Sequence, residues 1–254
     1  MSETKISIAQ FNIEWENLNK NLKTIEKLSL QAKDEESKLI LFSETTLSGF
    51  SMNAEKVYAK ELHIEKLKEL SKEIAIGVGY AEKAEGTFYN TYSIFIDGEK
   101  VYTYKKIHLF THGGENKHYE RGKQIITIDI NGLKITPFIC YDLRFPCMFQ
   151  KAAAETDLFV IPASWPSKRR YHWRSLLVAR AIENQAYVVG VNRIGDDPYF
   201  TYSGDSLIID PWGEIVLDAQ NEEGVFTVDI DIEKIKKIRE GFPVLEDRIS
   251  GIDL

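Results

Sequence analysis

The chain has 254 residues, and 39 acidic against 32 basic side chains give a net charge of -7, which excludes a strongly basic nucleic-acid binder on bulk charge. A composition of 43% hydrophobic and 28% charged residues excludes a disordered or fibrous chain, and this length suits one compact domain, 1–254, with a large core. Two cysteines, Cys140 and Cys147, exclude a disulfide framework; the lack of a long apolar run and of a leader in MSETKISIAQF makes no membrane contact and a cytoplasmic location the expectation.

In chain order, the apolar runs Ile6 to Phe11 and Leu39 to Phe42 predict strands flanking a helix between Asn19 and Lys38, where Leu22, Ile25, Leu28 and Leu30 fall near helical spacing. A second helix from about Ile64 to Lys72 leads into a strand from Ile74 to Val78. Asp97-Gly98 and Asn131-Gly132 are two-residue hairpin signals. They join Asn90–Ile96 to Lys100–Tyr104 and Ile125–Ile130 to Leu133–Ile139. A short helix from Met148 to Glu155 precedes the buried strand Leu158 to Pro162. A longer helix, about His172 to Gln185, directs Leu176, Leu177, Ala179, Ala181 and Ile182 inward before the buried strand Tyr187 to Val191. Ser206–Asp210, Glu214–Leu217 and Val225–Ile230 are the last strands, and no fixed-period repeat or linker divides the chain. Strands mixed with helices point to sheets covered by helices on their outer faces.

Three reactive side chains stand just past three of these strands: Glu44, Lys106 and Cys140. That is where an α/β architecture gathers an active site. A cysteine nucleophile needs a base for its proton and donors for the oxyanion. Taken singly, each residue has a plainer reading: a core cysteine, a solvated carboxylate, a surface lysine. Glu115, in Gly113-Gly114-Glu115-Asn116, carries less on the residues alone. His108, His112 and His118 cluster, but Gly113 and Gly114 interrupt any helix and the spacing matches no closed zinc pattern, so no metal is expected. Lys168-Arg169-Arg170 reads as a solvated turn. Trp165 and Pro166, after a buried strand, read as core or pocket wall, core being the simpler.

These residues resemble the carbon–nitrogen hydrolases of the nitrilase superfamily, whose signature is a Glu, a Lys and a Cys after successive strands. Leu39 to Glu44 looks like the glutamate motif, Tyr104 to Phe110 the lysine motif and Ile139 to Phe145 the cysteine motif. Pro162 to Pro166, Arg180 to Val188 and Asp210 to Glu214 also look like family segments, so the resemblance spans about Lys5 to Ile230. CYDLRFP, PASWP and RAIENQAYV look like its ω-amidase branch, which hydrolyses the terminal amide of α-keto acid amides such as 2-oxoglutaramate.

The resemblance implies an α/β fold of the nitrilase type, a four-layer αββα sandwich, with a cofactor-free thiol mechanism and a homodimer packed through helices. It implies Cys140 as nucleophile, Glu44 as base, Lys106 with the Tyr141 N–H as oxyanion donors, and Glu115 as a supporting carboxylate, with Glu120 its rival. The expected partners are a small amide and water. Arg144, four residues past the nucleophile, is the best candidate to grip a substrate carboxylate, with a structural ion pair to Asp142 or a distant acid as its alternative. Trp165 would wall the methylene chain, and loops around Phe50 and Tyr202 would complete the pocket. The competing functions are other amidases of the family (for deaminated glutathione, for carbamoyl compounds, or a true nitrilase) and a non-catalytic binding module, which would be expected to lack a triad residue.

Overall fold

The computed structural model describes residues 3–249. In its first half, strand β1 (Glu3–Gln10) leads to helix α1 (Leu18–Asp34), whose first turn is capped by the Asn17 side chain accepting from the Lys20 N–H. Strand β2 (Leu39–Leu41), helices α2 (Ala54–Val57) and α3 (Glu61–Leu70), and strands β3 (Ala75–Ala84), β4 (Thr87–Ile96) and β5 (Glu99–Lys105) follow. The second half holds β6 (Ile128–Ile130), β7 (Leu133–Pro137), α4 (Pro146–Ala152), β8 (Leu158–Pro162), α5 (Arg170–Asn184) and β9 (Tyr187–Val191). A two-stranded ribbon, β10 (Ile194–Asp196) and β11 (Thr201–Ser203), precedes β12 (Leu207–Ile209), β13 (Ile215–Asp218), β14 (Gly224–Asp231) and α6 (Ile232–Gly241). Asp97-Gly98 (φ 51° and 84°) and Asn131-Gly132 (φ 54° and 88°) take the doubly left-handed turn that matches the twist of a hairpin.

Two six-stranded sheets result, in the orders β14-β1-β2-β3-β4-β5 and β13-β12-β9-β8-β7-β6. Strands β1, β2 and β3 are parallel neighbours, as are β7, β8 and β9, and the other pairings are antiparallel. In the first sheet, period-two alternation sends Ile6, Ile8, Leu39, Leu41, Tyr92 and Ile94 into the core shared with the second sheet. Ile40, Phe42, Ile76, Val78 and Phe95 take the other face, against Leu22, Ile25 and Leu28 of α1 and Leu67 and Leu70 of α3. Strands β8 and β9 are apolar throughout because the other sheet covers one face while α4 and α5 cover the other through Phe149, Trp173, Leu177 and Ala181. The layers are helix, sheet, sheet, helix, the αββα sandwich that the sequence motifs imply.

Some expectations need correcting. Ile182 is 53% exposed, because α5 is rotated to bury Arg180 and Asn184 with Trp173, Leu177 and Ala181. Arg180 lies inward to donate from Nε and Nη2 to the Leu143 carbonyl, at 3.1 and 2.7 Å. The strand expected to reach Ile139 stops at Pro137, and its partner begins at Ile128. The ribbon and α6, capped by Asp231 at the Glu233 and Lys234 N–H groups, were not anticipated.

Candidate active site

The C-terminal ends of β2, β5, β7 and β8 deliver Glu44, Lys106, Cys140 and Ser164 to one cavity. The depth of Glu44 is set by bare backbone. Gly79 of β3 lies so close that a Cβ there would stand 2.5 Å from the Thr45 nitrogen and 2.6 Å from the Ser43 carbonyl oxygen. Cys140 opens the 3-10 turn Cys140–Arg144 with φ 47°, a left-handed conformation strained for any residue but glycine. Asp142, fully buried beneath it, holds the turn. It accepts from the Ile139 N–H (3.1 Å), the Tyr104 hydroxyl (2.9 Å) and the His108 N–H (2.8 Å), and lies 3.0 Å from His108 Nδ1. The lysine segment and the cysteine turn are thereby tied together. His108 is thus a partner of Asp142, stacked on Phe145 with ring centroids 3.6 Å apart, while His112 and His118 are exposed. Among the described residues no group of three or more His, Cys, Asp or Glu side chains could hold a metal ion.

Lys106 is the hub of a buried ionic cluster. Its Nζ donates to Glu44 Oε1 at 2.8 Å and to Glu115 at 2.9 Å (Oε2) and 3.1 Å (Oε1). Burial works against the ammonium, but Glu115 and Glu44 outweigh it and hold its pKa well above the ordinary lysine value. Glu115 is raised above the usual carboxylate range, foremost by burial and also by Glu44, with Lys106 opposing. Glu44 Oε2 accepts from the Ser164 N–H at 2.9 Å. Burial pushes the Cys140 thiol well up and Glu44 adds to it, while Lys106 and the Ser164 N–H pull the other way. These influences keep Cys140 a neutral thiol at rest, a state from which a sulfur would need a base in order to attack.

The cavity is walled by Phe50, Phe110, Tyr141, Trp165, Pro166 and Phe200, with Arg144 and Arg169 also lining it. Arg144 does not pair with Asp142. Its guanidinium lies over the Trp165 ring (4.8 Å) with Nη2 3.2 Å from His172 Nδ1. Arg169, expected in a solvated turn, instead borders the pocket with its guanidinium over Phe110, and its carbonyl accepts from Trp165 Nε1 at 2.9 Å. Tyr202 is absent from the lining because its hydroxyl donates to Asp197 Oδ2; Phe200, two residues earlier on the ribbon, takes the wall position. Glu120 is exposed and outside the cavity, whereas Glu115 is inside the ionic cluster. The sequence offered no reason to place Asn90, Ser164 or Phe200 in the site, and it pointed Arg169 to a solvated turn; only Ser164, inside the Pro162 to Pro166 segment, carried a motif signal.

Residues 5–240 match the carbon–nitrogen hydrolase family. The chain is 35% identical over 254 residues to the omega-amidase YafV of Yersinia enterocolitica, covering 97% of each chain. It is 31% identical over 250 residues to a 2-oxoglutaramate amidase of Bacillus subtilis, covering 95% of this chain and 96% of that one. Its fold superimposes with a TM-score of 0.91 on a carbon–nitrogen hydrolase superfamily protein of Xanthomonas campestris, 31% identical and covering 99% of both chains, whose active site holds an arsenic adduct. It also superimposes with a TM-score of 0.87 on Nit3 of Saccharomyces cerevisiae, a nitrilase superfamily member 25% identical, covering 95% of this chain and 94% of that one. The chain belongs to the carbon–nitrogen hydrolases of the nitrilase superfamily, and it is an enzyme of that class.

Proposed function

We propose that this enzyme is an ω-amidase that releases ammonia from small dicarboxylic monoamides such as 2-oxoglutaramate. The observation that carries the reading is the pair of guanidiniums, Arg144 and Arg169, lining a mostly aromatic cavity without a carboxylate partner among the described residues. They suit a substrate that brings its own carboxylate. Trp165 then walls the short methylene chain. The relatives named for omega-amidase and 2-oxoglutaramate amidase activity support the same choice.

In this reading Glu44 takes the Cys140 proton as the sulfur attacks the amide carbon. Lys106 donates to Glu44 Oε1 and to both oxygens of Glu115, so it serves the developing oxyanion beside the Tyr141 N–H by giving up the longer contact to Glu115 Oε1. Glu44 returns the proton to the departing ammonia, then activates water against the thioester. Glu115 fixes Lys106, and by accepting from the Phe110 N–H at 2.6 Å it also fixes one pocket wall.

The test is ammonia release across a panel of amides and nitriles. The highest kcat/KM is expected for 2-oxoglutaramate or succinamate, and Arg144→Ala should lower it about 10- to 100-fold for carboxylated substrates alone, the worth of a charge-assisted hydrogen bond. Preference for uncharged amides, carbamoyl compounds or nitriles would overturn the substrate while leaving the thiol chemistry. We further propose one hydrolase domain acting in the cytoplasm, where its thiol stays reduced, as a homodimer. Support for the dimer is a contiguous exposed apolar patch: Trp212 and Phe242 lie 6.4 Å apart, and Ile182 packs on Gly213. Light scattering should report twice 29.1 kDa.

A further inference from the structure

Asn90 sits in the middle of β4, 1% exposed, between β3 and β5. Its backbone carbonyl accepts from the Lys106 N–H at 2.9 Å, so it already fixes where Lys106 leaves the sheet. Its side-chain amide does something less common. The two hydrogens on Nδ2 go to two different carboxylates, Glu44 Oε1 and Glu115 Oε1, each at 2.8 Å. The orientation is chemically forced, since the reverse would set the amide oxygen against both anions. Among the described residues Asn90 Oδ1 has no partner. A buried acceptor without a donor is costly, so the fold holds this amide for its NH₂ group.

The lone pairs of Glu44 can be counted. A carboxylate oxygen offers two acceptor positions. Oε1 accepts from Lys106 Nζ and from Asn90 Nδ2, and is full. Oε2 accepts from the Ser164 N–H and, among the described residues, keeps one position open. We infer that Asn90 is a positioning residue: it fills Glu44 Oε1, so that the Cys140 proton is delivered to Oε2. In the step it serves, the Sγ–H bond breaks, an Oε2–H bond forms, and the sulfur electron pair is freed for the carbonyl carbon. The inference rests on Glu44 being the base of Cys140.

The ionisable groups that feel Glu44 are Lys106, Glu115 and Cys140 in the cluster, with the phenols of Tyr119 and Tyr202 further out. Removing the Asn90 donors opens a position on Glu44 Oε1 and frees the carboxylate to turn away from Cys140.

The experiment follows the rate of Cys140 alkylation by iodoacetamide, in a Cys147→Ala background so that the exposed second thiol does not contribute. It needs no knowledge of the natural substrate. Glu44→Gln should slow alkylation strongly, and Asn90→Leu, or Asn90→Ala if the leucine variant lacks a cooperative melt, should slow it about tenfold, the size of effect a lost hydrogen bond to a charged group produces. With an amide substrate the same variants should lower kcat while KM stays within about threefold, the pattern of a group that acts in the transition state. If Glu44→Gln slows alkylation and folded Asn90 variants keep the parent rate and kcat, the role of Asn90 is wrong and the base assignment stands. If Glu44→Gln leaves the rate unchanged, the base assignment is wrong and this inference falls with it.

Discussion

Lys106→Met keeps the length and apolar stem of the side chain and removes only the charge. Glu44 and Glu115, 1% and 0% exposed, would then face each other without the ammonium that now lies 2.8 and 2.9 Å from them. Removing one partner of a buried ion pair costs about 3–5 kcal/mol, a large share of the roughly 5–15 kcal/mol that holds a native protein together. The cost should depend on pH with a definite sign. Glu115 is already raised from its ordinary value by burial, with Lys106 the main influence opposing the rise. Without that opposition a carboxylate of the pair keeps its proton in the folded state and loses it on unfolding. The native state then binds more protons than the unfolded state, so stability falls as pH rises from the ordinary glutamate value, about 4.3. Urea unfolding followed by tryptophan fluorescence at pH 5 and pH 8, at equal ionic strength, would measure this. The loss should be full at pH 8 and smaller at pH 5, and Glu115→Gln added to Lys106→Met should restore part of it. A loss below about 1 kcal/mol, against the 3–5 expected of a broken buried pair, or one that grows as pH falls, would refute the reasoning.

Cys140→Ala should abolish amide hydrolysis while Cys147→Ala, at an exposed position, retains it; the converse would remove Cys140 from its role. Glu115→Gln should lower kcat at least about 100-fold, as expected of a group that supports the charge machinery, while Glu120→Gln leaves kcat unchanged; a reversal would mean that Glu120 is the supporting carboxylate. Gly79→Ala should push the Glu44 loop away from β3 and lower kcat about 10- to 100-fold with the fold retained, because a displacement near 1 Å is enough for a loss of that size. Unchanged kcat in that variant would show that the loop gives way harmlessly.

What the sequence displayed was whatever depends on neighbours along the chain. The runs Leu158 to Pro162 and Tyr187 to Val191 have the unbroken apolar character that two covered faces require, and Asp97-Gly98 and Asn131-Gly132 declare their own turn geometry. Glu44, Lys106 and Cys140 were findable because each directly follows a readable strand. Groups whose role comes from distant partners were not. Asn90 is an ordinary polar residue in a strand until the segments that follow β2 and β5 bring Glu44 and Glu115 to either side of it. Arg169 in a basic triplet and Phe200 near a ribbon tip have no local pattern that turns them toward a pocket. Ile182 was misplaced because apolar spacing alone could not foresee that Arg180 is needed inside to hold the Leu143 carbonyl.

The order of the strands holds a symmetry that the residues do not display. Three parallel strands joined by helices, β1-β2-β3, are followed by antiparallel β4 and β5; β7-β8-β9 are followed in the same way by β12 and β13. Each trio has one antiparallel strand on its outer side, β14 beside β1 and β6 beside β7. In this correspondence β2 answers to β8, and the residues beyond them, Glu44 and Ser164, meet: Ser164 donates to Glu44 through its N–H at 2.9 Å and its hydroxyl at 3.4 Å. The enzyme is laid out like a dimer written in one chain, with the chemistry where the two halves touch. The halves have specialised, one supplying Glu44, Lys106 and Glu115 and the other Cys140 and the Ser164 N–H. Neither half alone carries all of these residues, so the proposed site is complete only where the two sheets pack on each other.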